Sequence, residues 1–247
     1  MSDEGGRELQ HGMWEGYWEK ILSNSATQFW RTGASETHPL VSAFLRSRIL
    51  TCFPDVSPAQ LSVLVPLCGD DRVATDLLEA GFNVVGIEKT PSAVEMMKKA
   101  VEGTDGSWLR SEQGSFIVWE YASPSGGHFK LIEGSFFELE DPETAPLEDR
   151  SFDVLYDRDA FGAIHPSMRA SYSKIINRLL KPSSSLLYFE AKNRSGENFD
   201  TLGPPFHISK EVLDTNFNRS LELLHPLYVK GTDNELCKNQ FWISCPL

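Results

Sequence analysis

The chain has 247 residues, with 23 basic and 35 acidic side chains and a formal net charge of -12. This balance argues against sequence-independent binding to nucleic acid or to an anionic membrane surface, because both require a basic face. The four cysteines lack CxxC spacing and no apolar stretch approaches the ~18 residues of a membrane span. We therefore expect a reduced, cytoplasmic protein without disulfides, a metal site, a nucleic-acid partner or a membrane anchor.

The residue pattern in the N-terminal half of the chain predicts two helices, followed by alternating strands and helices. Residues 1–12 are polar and expected to be disordered, and residues 13–247 are expected to form one domain. Helical spacing indicates helices over 14–21 and 39–50. Strands follow over 61–67 and 83–88, with helices after Gly69 and from Pro91, which Thr90 caps.

The C-terminal half continues the alternation and ends in a hairpin. Strand-like residues 115–121 and 128–133 flank a Ser/Pro/Gly turn, which predicts a hairpin inserted at the sheet edge over about 108–133. Buried strands are predicted over 152–156 and 186–190, helices from Pro166 and Ser209, and closing strands over 221–230 and 236–244. The pattern is typical of an α/β fold whose mostly parallel sheet has an antiparallel edge strand.

The stretch from residue 63 to residue 88 carries the first functional signal. A β-branched strand ends in the tight turn at Gly69, a helix follows, and the second strand ends in the carboxylate of Glu88. In an open α/β sheet this acid lies beside the loop after the first strand, where it can accept hydrogen bonds from both hydroxyls of a ribose. The sequence therefore predicts a site for a cofactor that contains a nucleoside.

The turn itself distinguishes between cofactors. A dinucleotide-binding domain would carry G-x-G-x-x-G here, whereas Gly69 is followed by Asp70 and Asp71. Two carboxylates at a helix N-terminus would repel a pyrophosphate, but they suit the sulfonium and ammonium charges of S-adenosyl-L-methionine. We therefore expect S-adenosyl-L-methionine rather than NAD or FAD, with S-adenosyl-L-homocysteine as its product.

Four segments, taken in order, resemble signatures of the thiopurine S-methyltransferase family. They are residues 65–69, 84–88, 156–166 and 203–206, and the similarity extends over residues 14–245. The resemblance implies a class I methyltransferase fold: a Rossmann-like, seven-stranded, mostly parallel sheet with an antiparallel edge strand, helices on both faces and an N-terminal helical lid. It also implies methylation of a small soft nucleophile, in the first place a thiol. We expect a monomer.

The resemblance and the order of the motifs also suggest individual roles. The residues that would hold the cofactor are Trp14, Leu67, Gly69, Glu88, Ser135, Phe136 and Arg158. Those that would form the lid and wall of the acceptor site are Phe29, Trp30, Pro205 and Phe206. Arg158 would stabilise a thiolate or orient an anionic acceptor, and Asp157 is a candidate proton acceptor. Cys68 is expected to be a small packed residue rather than a nucleophile.

The sequence departs from the family pattern at three places that bear on the acceptor. A basic residue is common where Asp70 stands, a histidine where Phe82 stands, and the turn 231–234 lacks an arginine that contacts thiopurines in some members. Small thiols, hydrogen sulfide, nucleophiles derived from selenium or tellurium oxyanions, and halide therefore stay open as acceptors. An O- or N-methyltransferase of the same fold and a non-catalytic cofactor-binding protein also stay open.

Overall fold

The structure is a computed structural model that describes residues 34–101, 107–199, 201, 203–227 and 236–246, together with 16, 19, 20 and 23. Its helices are α1 (Ala34–Cys52), α2 (Arg72–Glu79), α3 (Pro91–Val101), α4 (Ala160–Ala163), α5 (Arg169–Leu179) and α6 (Lys210–Phe217). Its strands are β1 (Ser62–Pro66), β2 (Asn83–Glu88), β3 (Leu109–Gln113), β4 (Phe116–Ala122), β5 (His128–Glu133), β6 (Val154–Arg158), β7 (Leu186–Arg194), β8 (Glu222–Leu223) and β9 (Cys237–Ser244). The expectation of disorder over residues 1–12 lies outside the described residues.

The strands of the described residues form one sheet in the order β3-β4-β5-β2-β1-β6-β7-β9-β8. The five strands from β5 to β7 in this order run parallel, whereas β9 pairs antiparallel with β7 and β8 with β9. The predicted mostly parallel sheet with an antiparallel edge is confirmed. The family resemblance implied seven strands, whereas the described residues form nine, with β3 and β4 at the edge opposite β8.

The segment predicted as an inserted hairpin over 108–133 is an insertion only in part. Strands β4 and β5 pair antiparallel, as the turn signal predicted, but β5 also pairs parallel with β2 over five residues. It is therefore an inner strand of the sheet, and the hairpin at the edge consists of β3 and β4. The sequence did not reveal β3, because its five residues are all exposed and show no apolar alternation.

Helices cover both faces of the sheet. On one face of the sheet, the apolar sides of α1, α2 and α3 pack against side chains of the parallel strands. These helices contribute Leu45, Leu77 and Met97. The other face carries α4, α5 and α6, with Ile176 and Phe217 among its fully or nearly fully buried residues. This two-sided burial explains why the central strands read as continuous apolar runs rather than alternating patterns.

The winding of the chain locates a crevice between β1 and β6. From β1 the chain moves to β2 and β5 on one side, and it returns to place β6 and β7 on the other side. Loops that leave the carboxyl ends of β1 and β6 therefore diverge. Such a topological switch point is where open α/β sheets bind their ligands.

The closing hairpin differs from its prediction. The strand expected over 221–230 is limited, among the described residues, to Glu222–Leu223. Residues 224–227 have no strand structure, although the Leu224 backbone N–H still donates to the Phe241 carbonyl at 2.8 Å. Both β8 residues are exposed, so β8 has no buried face that would fix the pairing of a longer strand with β9.

Candidate active site

The loop after β1 turns sharply at the crevice. Leu67 (φ 46) and Gly69 (φ 54) both adopt left-handed backbone conformations, which only glycine adopts without steric cost. Asp71 then caps α2, because its carboxylate accepts the backbone N–H of Val73 at 2.8 Å. The turn thus points the N-terminus of α2 into the crevice.

Glu88 ends β2 beside this turn and is 8% exposed. One carboxylate oxygen accepts the Gly69 backbone N–H at 3.0 Å, and the other accepts the Thr90 backbone N–H at 2.8 Å. Burial raises the pKa of Glu88 above its usual 4.5, and the N–H groups of Thr90 and Gly69 partly offset that rise. A buried carboxylate is costly for the fold alone, even with two backbone hydrogen bonds.

Gly86 and Cys68 explain how closely β2 and the turn approach each other. A Cβ added at Gly86 would lie 2.8 Å from the Cys68 sulfur and 3.3 Å from Leu131. Burial raises the pKa of the Cys68 thiol well above its usual value, so the thiol stays protonated. Its burial among core residues confirms the prediction of a packed residue.

The segment after β5 reaches the same end of the sheet. The Gly134 backbone N–H donates to the Glu88 carbonyl at 3.0 Å, so Ser135 follows directly beside Glu88. Phe136 begins the 3-10 helix Phe136–Glu140, is 4% exposed, and stacks on Tyr172 with ring centroids 4.7 Å apart. The structure therefore brings Ser135 to the crevice but seats the Phe136 ring mainly in the core.

Arg158 ends β6 and joins the two sides of the crevice. Its guanidinium contacts the carboxylate of Asp71 at 3.1 Å and that of Glu190, on β7, at 3.4 Å. Tyr156 donates its hydroxyl to Asp71 at 3.3 Å, and Tyr188 donates to Glu190 at 3.3 Å. We refer to Asp71, Arg158 and Glu190 as the Arg158 cluster; it holds two carboxylates against one cation.

Asp157 lies on the opposite face of β6 from Arg158 and has no exposed surface. Its carboxylate accepts the Tyr172 hydroxyl at 2.7 Å and the Phe161 backbone N–H at 3.1 Å. Burial raises its pKa to about 7, although both hydrogen bonds act to lower it. The predicted role as proton acceptor stays a prediction, and the burial of the group argues against it.

The loop at 203–206 packs against α4, which follows Arg158 by two residues. The Phe206 backbone N–H donates to the Gly162 carbonyl at 2.7 Å, and the Arg194 side chain donates to the Pro205 carbonyl at 3.0 Å. Phe206 is 8% exposed. These contacts hold the loop against α4, and the role of Pro205 and Phe206 as a wall of the acceptor site stays a prediction.

Three predicted site residues, Trp14, Phe29 and Trp30, lie outside the described residues. The sequence did not reveal that Asp71 and Glu190 contact Arg158: it indicated Asp71 only as an acid of the turn at a helix N-terminus, and Glu190 only as a strand end. The signal for Glu190 was present, since a carboxylate within the apolar run 186–191 has the same cost of burial that singled out Glu88.

Two kinds of feature are absent from the described residues. No helix in the described part of the chain is long and apolar enough to cross a bilayer. Among the same residues, no group of three or more histidine, cysteine, aspartate or glutamate side chains is arranged to hold a metal ion.

Comparison with known sequences gives consistent matches. A family model described as thiopurine S-methyltransferase matches residues 13–239. A thiopurine S-methyltransferase from Stutzerimonas stutzeri is 28% identical over 153 residues, 62% of this chain and 59% of that protein. One from Shewanella sp. (strain MR-7) is 27% identical over 223 residues, 87% of this chain and 85% of that protein. In its match to the Stutzerimonas protein the chain spans about three fifths of the relative's length.

Comparison with solved structures identifies the fold. A magnesium protoporphyrin IX methyltransferase from Synechocystis PCC 6803, solved with bound SAH, superposes with a TM-score of 0.53 at 13% identity, over 86% of this chain and 84% of that chain. TehB from Haemophilus influenzae superposes with a TM-score of 0.52 at 11% identity, over 81% and 62%. At such identities the likeness shows the fold, and it confirms the predicted class I methyltransferase architecture.

Proposed function

Because the chain belongs to the thiopurine S-methyltransferase family, we propose that it transfers the methyl group of S-adenosyl-L-methionine to the sulfur of a small thiol. The donor and the reaction type follow from family membership and from the crevice at the switch point. The choice of sulfur as the methyl acceptor rests on the family alone.

The observation that carries this proposal is the buried carboxylate of Glu88. Each of its oxygens accepts one backbone N–H, from Gly69 or Thr90, which fixes the carboxylate beside the turn after β1. A carboxylate oxygen has lone pairs for a second hydrogen bond, so the fixed group can also accept from two vicinal hydroxyls. A ribose supplies such a pair of hydroxyls at one edge of a nucleoside.

The negative charge of the turn favours a methyl donor that carries positive charge over a cofactor that carries phosphate groups. Asp70 is 5% exposed and Asp71 has a side chain that is 10% exposed, so both carboxylates act in a partly dry environment. They would repel a pyrophosphate at the N-terminus of α2, whereas a sulfonium or ammonium group is attracted to them. Leu67 and Gly69 would lie along the methionine portion, and Ser135 beside the adenosine.

The protein's own contribution to the reaction is alignment and exclusion of water. The bound donor supplies an activated methyl group, and its thioether leaves with the bonding electron pair as the new carbon–sulfur bond forms. We propose that the acceptor reacts as its thiolate and that the thiol proton is released to solvent. Pro205 and Phe206, with Trp14, Phe29 and Trp30, would hold the acceptor sulfur in line with the methyl group.

The direct test combines binding and product analysis on the full chain. At ~100 times its dissociation constant, S-adenosyl-L-homocysteine should add about 2.7 kcal/mol of stability, a rise of about 5–10 °C in melting temperature for a chain of this size. NAD should give no rise. Matched acceptors that present sulfur, oxygen or nitrogen should then show methylation on sulfur. A melting rise with NAD alone, or methylation on oxygen or nitrogen only, would contradict the proposal.

A further inference from the structure

Two cysteines that are distant in sequence meet at the end of the sheet opposite the crevice. Cys52 is the last residue of α1, and a short connection leads from it to the start of β1 at Ser62. Cys245 directly follows β9, whose last residue, Ser244, pairs with Leu187 near the start of β7. Because β1, β6 and β7 run parallel, both cysteines lie at the amino ends of the parallel strands.

Both cysteines also lie on the face of the sheet that α1 covers. Cys52 packs against the core cluster that contains Ile49 of α1 and Ile243 of β9, whereas Trp242 belongs to the cluster on the other face. Since side chains alternate along a strand, Cys245, which follows Ile243 by two residues, comes to the side of α1. There the thiols of Cys245 and Cys52 are joined by a hydrogen bond.

Cys245 is the more accessible of the two thiols. It is exposed, whereas Cys52 is partly buried. Burial raises the pKa of the Cys52 thiol to about 11, the hydrogen bond with Cys245 adds to that rise, and Arg48, one turn earlier in α1, acts against it. Cys52 therefore stays protonated at neutral pH, and Cys245 is the thiol that a dissolved oxidant meets first.

From this geometry we infer that Cys52 and Cys245 form a site of reversible oxidation, at which a small-molecule disulfide such as oxidised glutathione converts the two thiols into one disulfide. The Cys245 thiolate attacks one sulfur of the oxidant, which releases one glutathione thiolate and leaves a mixed disulfide on Cys245. Cys52 then gives up its proton, and its sulfur attacks the Cys245 sulfur and displaces the second glutathione. The protein loses two electrons and two protons, and the oxidant takes them up as two thiols.

The site is separate from the crevice, so it neither requires nor tests the proposed methyl transfer. All four cysteines are free in the structure, and their spacing in the sequence predicts no disulfide. A disulfide at this site would close a loop of about 190 residues between the end of α1 and the end of β9, so it should oppose unfolding. Because this coupling is reciprocal, folding should favour the disulfide by the same factor.

The experiment equilibrates the reduced, full-length chain with buffers of graded ratios of oxidised to reduced glutathione, both in its native state and unfolded in urea. After quenching in acid and alkylation, the intact mass counts the thiols that are lost, and peptide mapping locates the disulfide. We expect one intramolecular disulfide, between Cys52 and Cys245. Its equilibrium constant should be about 30- to 1000-fold larger in the native chain than in urea, the factor that corresponds to the usual stabilisation of a fold by a disulfide.

Three single substitutions provide the controls. Cys245→Ser should abolish the disulfide, and Cys52→Ser should stop the reaction at a mixed disulfide between Cys245 and glutathione. Cys237→Ser is the matched control, because Cys237 also lies on β9 and is partly buried. This variant should form the disulfide at the same glutathione ratio as the wild type.

The wild-type chain alone decides the outcome, so the test survives a variant that does not fold. A disulfide between Cys52 and Cys245 that favours the native chain by the expected factor supports the inference. A native chain that keeps both thiols at every ratio, or a mixed disulfide on Cys245 that never resolves, would overturn it. A disulfide that includes Cys68 or Cys237, or an equilibrium constant no larger than in urea, would overturn it as well.

Discussion

Glu88→Gln should separate cofactor binding from folding. Gln is nearly isosteric but keeps a single oxygen acceptor, and its amide NH₂ would face one of the two backbone N–H groups that the carboxylate now accepts. One charge-assisted hydrogen bond to the ribose is lost and a second becomes neutral. With hydrogen bonds to charged groups contributing about 1.5–3 kcal/mol each, the loss is about 2–4 kcal/mol, or roughly 30- to 1000-fold in Kd.

The effect on stability should be smaller than the effect on binding, for a reason visible in the site. Burial raises the folded-state pKa of Glu88 above its usual 4.5, so the ionised form is less favourable in the folded chain than in the unfolded chain. The ionised group therefore costs stability at neutral pH, and a neutral Gln removes that cost. This gain offsets part of the loss from the backbone N–H that the Gln amide leaves without an acceptor, so we expect the free energy of unfolding to fall by less than the free energy of binding.

Calorimetric titration with S-adenosyl-L-homocysteine, together with urea unfolding, measures both quantities. Asp153→Asn is the matched control, because Asp153 is similarly buried (5% exposed) but directly precedes β6, at the opposite end of the parallel strands from Glu88. There its carboxylate contacts Lys181 at 2.6 Å and accepts the Ser62 backbone N–H. This control should lose stability and keep its affinity. Wild-type affinity in Glu88→Gln, or a loss of affinity in Asp153→Asn of the same size, would refute the reasoning.

Three further predictions concern the same part of the molecule. The affinity for S-adenosyl-L-homocysteine should weaken as pH falls through the raised pKa of Glu88, and calorimetry at several pH values should show no such weakening in Glu88→Gln. Burial raises the pKa of Asp157 from 3.8 to about 7, so the unfolding free energy should decline as pH rises from about 4 to 7. Urea titrations of Asp157→Asn should show no such decline. A decline of the same size in this variant would exclude Asp157 as its source. Gly86→Ala should lower the unfolding free energy by about 1–3 kcal/mol through the contact with the Cys68 sulfur. Cys68→Ala in the same chain should recover part of that loss, and strictly additive effects would show that the contact is not its cause.

The sequence sufficed for those parts of the fold that burial determines. The strand predicted over 83–88 has those bounds in the structure, because its apolar run is buried towards its end and is closed by the carboxylate of Glu88. Strand β3 was missed, since its five exposed residues are held by pairing with β4 rather than by a core. The role of β5 was misjudged because an antiparallel neighbour and a parallel neighbour require the same apolar residues, and only the pairing with β2 distinguishes them.

The candidate site divides in the same way. Glu88 and the turn at Gly69 belong to one strand–turn–helix–strand motif that is visible in the sequence, and the structure places them in contact. The contacts of Arg158 with Asp71 and Glu190 join residues that are distant in sequence, so their geometry depends on the pairing of β1, β6 and β7. The expectation that Arg158 stabilises a thiolate or orients an anionic acceptor stays a prediction, and the sequence did not reveal its contacts with the two carboxylates.

Transfer of an isotopically labelled methyl group tests the central claim most directly. The full-length chain is incubated with S-adenosyl-L-methionine labelled in its methyl group and with cysteamine, and the product is analysed by mass spectrometry and fragmentation. The account predicts one labelled methyl group on the sulfur of cysteamine and formation of S-adenosyl-L-homocysteine, with both strongly reduced in Glu88→Gln. A label on nitrogen, or undiminished transfer in Glu88→Gln, would contradict it.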